Sequence, residues 1–277
     1  MTDVTVAKMM RGGPAVGRRA FLTRLGRTAF GVAVVSTLPA CSGAGDAGGG
    51  RGASPAASTG RASGAASAAP TAAAAVDWRR VDLGFVSAYI VVRDGEAAIV
   101  DTGVAGSEGD IEEALTELEI AWSDVGHVIV THRHPDHIGS APAVLERASE
   151  ATAYAGPGDA EAIDAPEAVT VVSDGDHVFG LRVVATPGHT AGHISLLDEA
   201  GGLLVAGDAL VGADGGTVSA PDPQFTEDMA RAHESIRKLA GLTFTTVVFG
   251  HGEPVSSAAD AAVAELVARL SEAPAAS

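Results

Sequence analysis

Thr131-His132-Arg133-His134-Pro135-Asp136-His137 sets three imidazoles and a carboxylate in six consecutive positions, directly after the apolar run Val128-Ile129-Val130. Neutral imidazole is the commonest protein metal ligand near neutral pH. Alternate residues of an extended segment share a face, so His132 and His134 can reach one point. Pro135 stops further strand pairing. Asp136 and His137 follow at the turn and can aim at a second, adjacent point. Ser140 with Pro142 reads as the start of a helix running to about Ala148. The cluster therefore belongs to a loop between a strand and a helix, where a rigid scaffold commonly carries its chemistry.

Three later segments share this character. Thr186-Pro187-Gly188-His189-Thr190-Ala191-Gly192-His193 follows the apolar strand Val183-Val184-Ala185. Leu203-Leu204-Val205-Ala206-Gly207-Asp208 is an apolar strand ending in a carboxylate, and Thr246-Val247-Val248-Phe249-Gly250-His251 is another ending in a histidine. Each has a glycine close to the ligand type, and glycine lets backbone pass near a metal without a Cβ clash. Several strand ends delivering one ligand apiece build a site along one edge of a sheet. His127, His177 and His233 lie in ordinary contexts and read as solvated or structural.

Taken in order, Val100-Asp101-Thr102-Gly103, the His132–His137 cluster, His189, Asp208 and His251 resemble the metallo-β-lactamase fold superfamily of metallohydrolases. The resemblance spans residues from about 76 onward. It implies an α/β architecture, a four-layer αββα sandwich in a single domain, with a two-metal site, usually zinc. Carried over by position, His132, His134 and His189 hold the first metal. Asp136, His137 and His251 hold the second, and Asp208 bridges them. Asp136 and Asp208 become the catalytic carboxylates. Asp101 orients a loop and a ligand without touching metal, and His193 braces the site. Imidazole and carboxylate suit zinc, and iron and manganese accept similar sets. Two metals about 3.5–4 Å apart can share a hydroxide of much-lowered pKa that attacks a carbonyl. No serine or cysteine nucleophile is signalled.

Departures from family patterns sort the substrates. True metallo-β-lactamases lack an aspartate bridge, so Asp208 with no nearby cysteine argues against efficient β-lactam hydrolysis. Thioesterases of the glyoxalase II type carry an extra helical domain, whereas only 26 residues follow His251. Acyl-homoserine lactonases place a tyrosine three positions after the bridging aspartate; here that position is Val211, and the only tyrosines are Tyr89 and Tyr154. The reading is a dinuclear zinc hydrolase using a metal-bound hydroxide on the ester, thioester or lactone of a small-molecule substrate. The alternatives are a mononuclear iron persulfide dioxygenase of the same fold and a non-catalytic metal-binding surface lipoprotein.

The N-terminus reads separately. Arg11, Arg18, Arg19, Arg24 and Arg27 precede the apolar run Ala29–Val35, too short for a membrane span of about 20 residues and suited to a signal-peptide core. Arg18-Arg19-Ala20-Phe21-Leu22 resembles a twin-arginine export motif, and Leu38-Pro39-Ala40-Cys41 resembles a lipoprotein cleavage box. Residues 1–40 are thus expected to be a signal peptide. Residues 41–75 read as a lipidated Cys41 and a flexible Gly/Ala/Ser linker, and residues 76–277 as the hydrolase domain. Cys41, the only cysteine, would anchor the protein to the bacterial membrane from outside the cytoplasm.

The formal charge of −17 divides unequally. Residues 1–75 carry 8 basic and 2 acidic side chains, and residues 76–277 carry 10 basic and 33 acidic ones. So acidic a domain is a poor partner for nucleic acid or anionic lipid. Its roughly 200 residues suffice for one core. The remaining pattern predicts a hairpin, Phe85–Val92 with Ala97–Val100, around Arg93-Asp94-Gly95-Glu96. It also predicts a helix opened by a capping box at Ser107-Glu108-Gly109-Asp110, a helix capped by Thr226 and running to about Leu239, and a last one opened by Ser257 through Leu270.

Overall fold

A computed structural model describes residues 75–272. The expected signal peptide, Cys41 and all of the expected linker but Ala75 lie outside these residues.

The first sheet is laid down almost in sequence order. β1 (Asp77–Asp82), β2 (Ser87–Arg93) and β3 (Glu96–Val100) form an antiparallel meander. Asp94 and Gly95, both at positive φ (53° and 89°), make the tight turn of the predicted hairpin. β4 (Val125–Ile129), β5 (Thr152–Ala155) and β6 (Thr170–Val171) then add in parallel. The second sheet begins with β7 (His177–Val178), β8 (Leu181–Ala185), β9 (Ile194–Asp198) and β10 (Leu203–Val205), each antiparallel to the one before. A small hairpin of β11 (Val211–Ala213) and β12 (Thr217–Ser219) intervenes before β13 (Thr246–Val248) pairs in parallel with β10.

The sequence of these strands explains the layering. Tyr89 and Val91 face β8–β10 residues such as Val183, Leu196 and Val205 across the space between the sheets. Their neighbours Ala88 and Ile90 point the other way, onto α1 (Glu108–Glu117) and α3 (Ala141–Arg147). In the second sheet Val184, Leu197 and Leu204 turn outward onto α4 (Met229–Leu239) and α5 (Ala259–Glu272). Strands covered on both faces tend to be apolar on both, and the stretches Ala88–Val92, Ala97–Val100, Val183–Ala185 and Leu203–Val205 are continuously so. The result is the expected αββα sandwich. The short helix α2 (Pro135–Ile138) joins β4 to α3, with Pro135 at its first turn.

Three helix starts differ in detail from the sequence reading. Ser107 precedes α1 but makes no side-chain cap; its backbone is already helical (φ −78°, ψ −6°) and its N–H donates to Ser140 Oγ at 2.8 Å. A tertiary contact holds that end in place of a capping box. The cap of α4 is Asp228, whose carboxylate accepts from Arg231 N at 3.0 Å, and not Thr226. α5 starts at Ala259, because Ala258 takes a left-handed turn (φ 50°) after Ser257.

Candidate metal centre

The C-terminal ends of β4, β8, β10 and β13 share one edge of the sandwich, and each continues into a loop that carries ligand-type side chains. Cross-links between these loops fix their spacing. Ile194 N donates to Thr131 O at 2.9 Å, Gly250 N to Gly207 O at 3.2 Å, and Ser87 N to Gly250 O at 2.8 Å.

Two ligand groups form there. His132, His134 and His189 bring one ring nitrogen each to a common point; beside it His137 and His251 bring ring nitrogens and Asp136 a carboxylate oxygen, all within 4.8 Å in each group, and His132, His137 and Asp208 form a like set that links the two. His134 Nδ1 lies 3.1 Å from His132 Nε2 and 2.9 Å from His189 Nε2. His251 Nε2 lies 3.3 Å from Asp136 Oδ2. Asp208 stands between the groups. Its Oδ2 is 3.8, 3.4 and 3.2 Å from the Nε2 atoms of His132, His189 and His251, and its Oδ1 is 3.5 Å from His137 Nε2. All seven residues singled out in the sequence are brought together.

The outer nitrogens decide which ring nitrogen keeps its lone pair. His137 Nδ1 faces Asp101 Oδ2 at 2.8 Å, and His251 Nδ1 faces the carbonyl of Phe85 at 2.6 Å. Both partners can only accept. The Thr131 hydroxyl donates to Asp101 and the Thr226 hydroxyl to the Asp222 carbonyl, so each can only accept from His132 Nδ1 (3.1 Å) and His189 Nδ1 (3.2 Å). In these four rings, when neutral, Nδ1 is therefore the donor and Nε2 turns a lone pair inward. His137 Nε2 and Asp208 Oδ1 are buried with no hydrogen-bond partner. A ring nitrogen and a carboxylate oxygen that face one another without a hydrogen bond fit a positive charge shared between them, a proton or a metal ion.

The electrostatics agree. Burial drives His132 well below its ordinary pKa and His189 down to about 4, favouring neutral rings. Burial also pushes His137 down, but Asp101 and Asp208 outweigh it and hold the ring protonated well above the usual range. Hydrogen bonds to Asp136 and then Asp208 lift His251 to about 10. Those protons stand where a cation's charge would stand, so metal uptake displaces them. Asp208 is raised by burial, yet His137, His251 and His132 together hold it well below the carboxylate range.

The supporting residues are as informative. Asp101, at φ 59°, accepts from Thr131 N (2.7 Å), the Thr131 hydroxyl (2.7 Å) and His137. It touches the ligand loop and not the centre of either group. His193 is buried. Its Nε2 accepts from Asp208 N at 3.0 Å and its Nδ1 faces Thr186 Oγ1 at 2.8 Å; burial lowers it to about 3. His127 packs between Tyr154 and Phe179, His177 lies in β7 and His233 in α4, all outside both groups.

Two supports have no local sequence signal. Asp159 is wholly buried; it accepts from Arg133 N (3.1 Å), Thr190 Oγ1 (2.5 Å) and Gly192 N (2.9 Å), tying the His132–His137 loop to the His189–His193 loop. Thr226, expected to cap α4, instead holds His189. A solvent-open cavity of about 840 Å³ lies over the site. His134, Asp136, His189, Asp208 and His251 contribute to its lining, with Phe85, Val211 and Phe225 among its apolar walls.

Comparison with known proteins supports the same reading. The sequence profile of the Metallo-beta-lactamase superfamily matches residues 81–251. The uncharacterised protein YobT of Bacillus subtilis is 28% identical over 197 residues, covering 61% of this chain and 83% of YobT. A hydroxyacylglutathione hydrolase of Parasynechococcus marenigrum is 32% identical over 170 residues, covering 58% of this chain and 63% of the hydrolase, so less than two thirds of that relative is spanned. A crystal structure of a metallo-beta-lactamase family protein from Thermus thermophilus superposes with a TM-score of 0.57 at 25% identity, covering 71% of this chain and 79% of that one.

Proposed function

The chain belongs to the metallo-beta-lactamase superfamily, whose profile spans its site residues, and from that membership we propose a dinuclear zinc hydrolase of an ester, thioester or lactone. The observation that carries the reading is the paired ligand groups with Asp208 between them, one oxygen turned to His137 and the other to His132, His189 and His251. In this reading His132, His134 and His189 hold one metal, Asp136, His137 and His251 the other, and Asp208 both. Bound there, the metals supply a water of lowered pKa and Lewis-acid polarisation of the scissile carbonyl.

The chain's own residues do the rest. Asp101, Thr131, Thr226 and the Phe85 carbonyl hold four rings in the tautomer that presents Nε2. Asp136 lines the cavity, and with Oδ2 turned to His251 its other carboxylate oxygen is left to accept a proton. The hydroxyacylglutathione hydrolases among the relatives favour a thioester within this class. For the N-terminus, the Arg18-Arg19 and Leu38–Cys41 motifs support export and tethering through a lipidated Cys41.

Metal content measured together with a panel of esters, thioesters and lactones tests the hydrolase. We expect about two zinc ions per chain and turnover lost in Asp208→Ala. One iron and no zinc points to the persulfide dioxygenase alternative, and no turnover on any substrate to the binding lipoprotein.

A further inference from the structure

We propose that the substrate is an uncharged molecule whose reacting carbonyl bears an apolar acyl group, seated between Phe85 and Phe225. This rests on the hydrolase reading and names the substrate class of that same site.

The first observation is where apolar surface is left in water. Phe85 and Phe225 are each 65% exposed, and with Val171 they are the only exposed large apolar side chains among the described residues. Both wall the cavity over the ligand groups, with Val104, Pro135, Val211 and Pro221. Apolar side chains left in water favour a ligand that covers them, so one that covers both gains much of its affinity there.

The second observation is charge. No lysine or arginine lines the cavity among the described residues, and the charged side chains that do, beyond the histidines, are Asp136, Asp208 and Asp222. The nearby Arg133 is committed to Asp159 and Glu227. Away from the ligand histidines, a carboxylate at the far end of the acyl group finds no lysine or arginine to pair with and meets Asp222 instead. Glutathione thioesters and β-lactams carry their carboxylates on the leaving-group side, and no lysine or arginine lines the cavity to pair with those either.

The third is continuity with the reacting centre. The Phe85 carbonyl accepts from His251, its ring stacks on the His251 ring (6.1 Å between centroids, 14° between planes), and Phe225 directly precedes Thr226, which holds His189. The apolar walls therefore begin at the ligand histidines, so an acyl group held by them starts at the scissile carbonyl.

The test uses the full-length protein. With metal bound, kcat/KM should rise at least tenfold from p-nitrophenyl acetate to p-nitrophenyl octanoate and fall at least tenfold for the suberate half-ester, which ends in a carboxylate. Phe225→Ala should remove most of the chain-length preference; the side chain is exposed, so the fold should tolerate its loss. Val211→Lys should narrow the penalty on the half-ester. In the metal-free protein, calorimetry should show octanamide binding more tightly than acetamide, and more weakly to Phe225→Ala. Equal rates on acetate and octanoate, a half-ester turned over as well as octanoate, or acetamide binding as tightly as octanamide would overturn the proposal. No turnover of any ester, thioester or lactone, with octanamide still bound, would remove the hydrolase reading and support the neutral apolar site.

Discussion

Asp159→Ala tests whether one buried carboxylate holds the two histidine loops in register. The substitution strips acceptors from Arg133 N, Gly192 N and the Thr190 hydroxyl. Arg133 is exposed, so its N–H can turn to water, whereas Gly192 and Thr190 are buried and cannot. Two buried donors left without partners cost about 1–3 kcal/mol each. The Arg133–Asp159 ion pair adds little, since its arginine side chain is 42% exposed. The expected loss is about 3–5 kcal/mol, a large share of the roughly 5–15 kcal/mol that holds a domain folded. Asp159→Asn keeps one acceptor oxygen for Gly192 and can present its amide to Thr190, so about 1–2 kcal/mol is expected. Both variants loosen the loops that carry His132, His134 and His189, and zinc affinity should fall about 10–100-fold, the usual cost of removing a support behind metal ligands. Urea denaturation of the metal-free protein and zinc competition against a chelator measure the two effects. A loss below about 1 kcal/mol in Asp159→Ala, or unchanged zinc affinity, would refute the clamp.

A Cβ at Gly250 would sit 2.1 Å from Asp208 Oδ1 and 2.5 Å from His137 Cε1. Gly250→Ala should therefore retain its circular dichroism but lose bound metal, and wild-type metal content would contradict this geometry. His193 is held neutral by burial, with a folded pKa of about 3 against 6.5 in the unfolded chain. The unfolded state alone takes up that proton as pH falls, so this contribution is present above pH 6.5 and is lost progressively toward about pH 3. The stability gap between the metal-free wild type and His193→Asn should shrink from about pH 7 to about pH 4, and a constant gap would show that His193 does not titrate on unfolding.

Much of the site was legible because its ligands are locally announced. His132, His134, Asp136 and His137 lie within six positions, and His189, Asp208 and His251 each follow an apolar strand closely. Strand ends of one sheet edge are neighbours in space, so these signals converge by topology. The hairpin of β2 and β3 and the apolar runs that lead into the ligand loops were equally legible, whereas β1, Asp77–Asp82, with four charged residues in six, gave no such pattern. Local signals misled where a tertiary partner intervened. Ser107 and Thr226 have the residue type and position of helix caps, but Ser107 N is drawn to Ser140 and the Thr226 hydroxyl lies between the Asp222 carbonyl and His189.

The opening stretch, with the later histidines and Asp208, by itself pointed to the fold family and to the side chains that could hold metal, because ligand type and strand pattern are properties of short segments. Only the tertiary structure decided how that set is held and what it faces. Asp159 is one aspartate among many in sequence and becomes a clamp because folding buries it between two loops. Phe85 and Phe225 lie far apart in the chain and become the walls of one cavity only when the sheets pack. Such roles depend on contacts between distant segments and on which groups lose water, and no local pattern records either.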